Sequence, residues 1–76
     1  MIEIVVMSLA KPDRTGAHQL IGYRKDDTQQ RPVSVMLDRA DAEDLTRLAK
    51  DMSGDELLSI EVEDRAWAYI LPQVAA

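Results

Sequence analysis

At Asp38 the hydrophobic period of this chain changes, and that change limits what it can fold into. Before it, Val33, Val35 and Leu37 alternate with Ser34 and Met36, the two-residue repeat of a strand. After it, in "DRADAEDLTRLAKDM", Ala42, Leu45, Leu48, Ala49 and Met52 recur at helical steps. Asp38 is placed to cap that helix. Asp41, Glu43 and Asp44 put negative charge on its first turns, and Arg47 and Lys50 fall in the later half, where the helix dipole favours cations. Gly54, in "MSGD", suits the left-handed turn that ends many helices.

The other elements are strands. Residues 2–9, "IEIVVMSL", are rich in β-branched and aliphatic types. "AKPDRTG" is a loop in which Asp13 can hold a turn and Gly16 tolerates positive φ. A second strand covers residues 17–25, "DDTQQ" is a polar connection, and a third strand follows Pro32. Two more, at about residues 57–63 and 66–71, come after the helix. The order is βββαββ, with no repeat or linker, so residues 1–76 are expected to form one α+β domain. Its antiparallel sheet of about five strands carries one helix on one face.

Seventy-six residues lie near the lower limit for unaided folding, and this chain has neither cysteine nor phenylalanine. No disulfide or thiolate metal site can staple it. The opening "MIEIVVMSLA" lacks a basic leader and carries Glu3 within its apolar run, and no apolar stretch nears the roughly 20 residues that span a bilayer. A soluble cytoplasmic protein is expected.

The chain's one tryptophan lies in "EVEDRAWAYILP". If the last two strands form a hairpin centred between Asp64 and Arg65, Val62 faces Trp67, Ile60 faces Tyr69 and Leu58 faces Leu71. All six then share a face. A three-residue loop would turn the aromatics towards the acids, but such loops favour glycine and "DRA" has none. Trp67 and Tyr69 are therefore expected in the core, under the helix.

The opposite face is the more suggestive one. If Ile2, Ile4 and Val6 point to the helix, then Glu3, Val5, Met7 and Leu9 point away, joined by Ser34, Met36, Ala66, Ala68 and Ile70. That surface is too apolar for water alone and marks an interaction site or a homodimer face.

Charge is unevenly spread. Residues 1–37 carry five bases and four acids, whereas residues 38–76 carry ten acids and four bases, within a net charge of −5. So acidic a chain is a poor direct ligand for nucleic acid. Motifs for chemistry are missing. His18 has no partner in a recognisable pattern, the serines sit in no G-x-S-x-G, and "KPDRTGAH" lacks the glycines of a phosphate loop. Asp41 and Asp44 could share a helical face, yet no EF-hand spacing or His pair accompanies them. No cofactor, metal or catalytic activity is expected.

What remains is a small acidic binding module acting on a protein partner with a basic, nucleic-acid-handling surface, as an inhibitor or adaptor. Asp41, Glu43, Asp44, Glu61 and Glu63 would steer it, and Val5, Met7, Met36 and Ile70 would anchor it. In size, acidity and lack of motifs the chain is similar to inhibitors made by phages and mobile elements, anti-CRISPR proteins included. That likeness is of type and points to no family. The alternative is a homodimeric structural accessory or assembly protein. An antitoxin-like regulator would need a basic DNA-reading element.

Overall fold

The computed structural model describes residues 1–52, 54 and 56–70. Five strands and one helix follow one another as β1 (Ile2–Leu9), β2 (His18–Arg24), β3 (Pro32–Leu37), α1 (Arg39–Lys50), β4 (Ser59–Val62) and β5 (Trp67–Tyr69). All five strands join one antiparallel sheet, and the fold is α+β. Among the described residues no helix is long and apolar enough to cross a membrane.

Local chemistry sets the punctuation. The Asp38 carboxylate accepts a hydrogen bond from the Asp41 N–H at 2.8 Å, which satisfies one of the free donors at the start of α1. In the β1–β2 loop Asp13 Oδ1 accepts from the Thr15 hydroxyl and from the N–H groups of Thr15 and Ala17, while Gly16 takes φ +85°. Asp27 does the same for the β2–β3 loop, receiving the N–H groups of Gln29 and Arg31 and the Arg31 side chain. Helix α1 ends at Lys50 with Asp51 as its C-cap at φ −88°, so it stops before Gly54, which does not form the expected left-handed end.

The sheet order is β4-β1-β2-β3-β5, so the last two strands occupy opposite edges. This corrects the expected hairpin. Ile60 stands opposite Ile4 and Val62 opposite Ile2, while Trp67 stands opposite Val35 and Tyr69 opposite Val33. Leu71, the expected partner of Leu58, is outside the described residues. A flat sheet would hold its two edges about 19 Å apart, four interstrand spacings. Yet only residues 63–66 join β4 to β5, and the Ala66 N–H bonds the Glu63 carbonyl at 2.9 Å, folding that link into a turn. The sheet therefore curls into a partly open barrel, with a gap left between its two edges. β4 and β5 run in the same direction, since each is antiparallel to a strand that is itself antiparallel to β2. No ladder joins them across the seam among the described residues.

Inside the barrel the rungs read across the strands. One holds Leu9, Leu20, Val35 and Trp67, and the next holds Val6, Gly22, Val33 and Tyr69. Ile4, Leu20, Val33 and Val35 are fully buried, and α1 adds Ala42 and Leu45 to the same cluster. Trp67 and Tyr69 meet edge to face at 5.0 Å and pack half-buried against the core cluster on the expected face, although β5 lies beside β3 rather than beside β4. Arg24 lies over the Trp67 ring and Arg31 over the Tyr69 ring, each held by a carboxylate of the β2–β3 loop.

Leu9 also corrects an expectation. The pairing of β1 with β2 slips between Val6 and Ser8, a bulge that leaves Met7 as an extra residue. Beyond the bulge the parity inverts, and Leu9 turns inward against the core instead of away from it.

Candidate protein-binding groove

Helix α1 buries a narrow stripe. Ala42 and Leu45 face the core, whereas Leu48, expected beside them, is 55% exposed, and Ala49 is also exposed. One flank of the helix, Asp41, Asp44, Leu45 and Leu48 at steps of three and four, faces β4 across a groove of about 420 Å³. Val35, Leu37, Leu45, Ile60 and Val62 contribute apolar lining to the groove. Met1, Met36 and Leu48 stand around it, and Glu61, Glu63 and Ala66 complete the far side.

Four acids line this groove and no lysine or arginine does. Asp44 is paired with Arg47, three residues on along α1. Asp41, Glu61 and Glu63 make no salt bridge among the described residues. The opposite flank of α1 has the other sign. There Arg39, Arg47 and Lys50 face Arg14 of the β1–β2 connection and His18 at the start of β2, with Asp13 and Glu43 among them. The helix thus divides an acidic, apolar-floored groove from a largely basic one.

Of the residues singled out from sequence, the fold brings Asp41, Asp44, Glu61, Glu63 and Met36 around one groove. Glu43 falls on the other flank, bonded to Arg39 at 3.1 Å. Met7, 64% exposed, and Ile70 lie on the outer surface of the barrel. Val5 is a correction. It does point away from the main cluster, but Tyr23 and Ser59 flank it in the ladder and it is only 4% exposed, so it offers no anchor to a partner. Leu48 and Met1 were missed. Leu48 was legible, since it follows Asp41 and Asp44 at helical spacing.

The polar side chains elsewhere hold the strands in place. His18 Nδ1 lies 3.0 Å from the Ala10 carbonyl, Ser59 donates to Glu3, and Gln19 donates to Ser34. Among the described residues no three His, Asp or Glu side chains are placed to share a metal ion. No family model, curated protein or solved structure matches this chain.

Proposed function

We propose that this chain is a non-catalytic protein-binding module, an inhibitor or adaptor, that receives a basic and partly apolar segment of a protein partner in the groove between α1 and β4. One observation carries the reading. Four carboxylates, one of them paired with Arg47, line a groove with an apolar floor and no lysine or arginine in its lining. A lysine- or arginine-bearing segment gains long-range attraction on approach, and its aliphatic side chains gain burial on arrival. Partners whose basic surfaces ordinarily serve nucleic acid fit this chemistry, and docking there would block that surface. Phosphates themselves would be repelled from the groove.

The alternative, a homodimeric structural accessory, draws on Met7, Met36 and Ile70 outside the barrel. That surface is less continuous than the sequence suggests. Ser8, Ile21, Ser34 and Ala68 form one outward rung, Gln19 stands opposite Met36, and Val5 is covered. The groove supports its reading more strongly.

Affinity capture from cell lysate with the wild-type chain and with Glu61→Lys/Glu63→Lys, eluted by a salt gradient, tests it. Proteins with basic surfaces that bind the wild type, leave at moderate salt and are lost by the variant are the expected result. Identical capture by both chains overturns it. The mass of the free protein, run alongside, tests the homodimer.

A further inference from the structure

We infer that the partner segment enters this groove as an extended strand added to the free edge of β4, with lysine or arginine alternating with aliphatic residues. The inference rests on the groove reading above and specifies its ligand. The backbone is the first reason. The Val6 N–H bonds the Leu58 carbonyl at 2.8 Å, and in that register Ile4 faces Ile60 and Ile2 faces Val62. Hydrogen-bonded pairs alternate in an antiparallel ladder, so Leu58, Ile60 and Val62 are engaged with β1. Ser59 and Glu61 therefore direct their N–H and C=O groups away from it. No strand takes up that side among the described residues, because the chain leaves β4 and pairs β5 with β3 instead.

The lining of the groove is the second reason. It includes Ile60 and Val62, which point into the barrel, together with Glu61 and Glu63, which alternate with them. Residues from both faces of one strand can line a single groove only where that groove meets the strand's edge. A strand laid there turns alternate side chains towards Leu45 and Leu37, and the intervening ones towards Glu61 and Glu63.

Charge selects the occupant. A second copy pairing β4 with β4 would set its own acids against Glu61 and Glu63, and like charges across a ladder destabilise it. Lysine or arginine at the same cross-strand positions is favoured. The edge thus rejects itself and accepts a basic strand. Since β4 spans only Ser59–Val62, the added segment is short, on the order of five residues.

Titration of the full chain at low salt with a seven-residue peptide of alternating lysine and valine tests the idea, followed by calorimetry and by amide exchange. Its controls are a block isomer of the same composition and two versions N-methylated on alternate residues, one for each edge. The alternating peptide should bind at least about tenfold more tightly than the block isomer. One methylated version should lose binding while the other keeps it, and the Glu61 N–H should gain exchange protection. Equal binding by all four peptides, lost in Glu61→Lys/Glu63→Lys, overturns strand addition and leaves the acidic groove standing. Binding unaffected by that double variant, or no binding at all, overturns both.

Discussion

Trp67 lies opposite Val35 in the sheet, at the far edge from Val62, although only residues 63–66 separate it from Val62 in sequence. That relationship makes the sheet a curled one. It also leaves β4 with an unpaired edge beside α1, and so creates the acidic groove. Trp67 anchors the arrangement from the core side, half-buried against Tyr69 and under Arg24.

Trp67→Ala should therefore destabilise the protein by about 2–4 kcal/mol, somewhat below the cost of removing a fully buried ring. Trp67→Phe should cost clearly less, because the indole Nε1 is buried without a hydrogen-bond partner among the described residues and phenylalanine removes that unsatisfied donor. Urea denaturation of the two variants gives the comparison. Equal losses would mean that ring volume alone matters.

Gly22 should tolerate no side chain. A Cβ added there would clash with the Val5 carbonyl oxygen, a backbone atom that can move only if β1 moves. Gly22→Ala is expected to cost about 3 kcal/mol or more, at the upper end of overpacking effects. A thermal melt within a few degrees of wild type would contradict the close approach of the two strands.

The loops should govern the acid limb of stability. At Asp13, hydrogen bonds from the Thr15 side chain and backbone hold the carboxyl below its ordinary value of 3.8. At Asp27 burial pushes the other way, since the side chain is 8% exposed, but the bonds from Gln29 and Arg31 outweigh it and the carboxyl is again lowered. A lowered native value means that the folded state binds the proton less tightly than the unfolded chain. The stabilisation is thus complete above about pH 4 and lost as pH falls through the native values. Asp27→Asn should flatten the fall in stability between neutral pH and about pH 3. An unchanged acid limb would remove Asp27 from that role.

Glu61→Lys/Glu63→Lys should leave stability within roughly 0.5 kcal/mol of wild type, the usual range for surface substitutions. Both side chains are exposed, and neither forms a salt bridge among the described residues. Circular dichroism with urea denaturation checks this. A large loss would show that the acids serve the fold rather than a partner.

The elements were legible in the sequence because period is a local property. The switch at Asp38, the cap it forms and the turn at Asp13–Gly16 all depend on near neighbours. The inward direction of Trp67 and Tyr69 was legible too, since alternation fixes the face of a strand whichever strand lies beside it. For the same reason alternation could not name the partner, and Trp67 pairs with β3 instead of β4. The bulge at Met7 carries no glycine or proline to announce it, so the inversion at Leu9 was hidden. In the groove, Asp41 and Asp44 share a flank of the helix, whereas Glu43, about 200° around from Asp41, was bound to face elsewhere. That Glu61 and Glu63 would stand opposite that flank depends on the curl of the whole sheet, which no short stretch encodes.

The most direct test of the groove is chemical-shift mapping of the full chain titrated with the alternating lysine–valine peptide. The expected result is a set of saturating shifts confined to Asp41, Asp44, Leu48, Glu61, Glu63 and their neighbours. Shifts spread over acids elsewhere, at Asp13, Asp26 and Asp64, or centred on Met7 and Ile70, would contradict it.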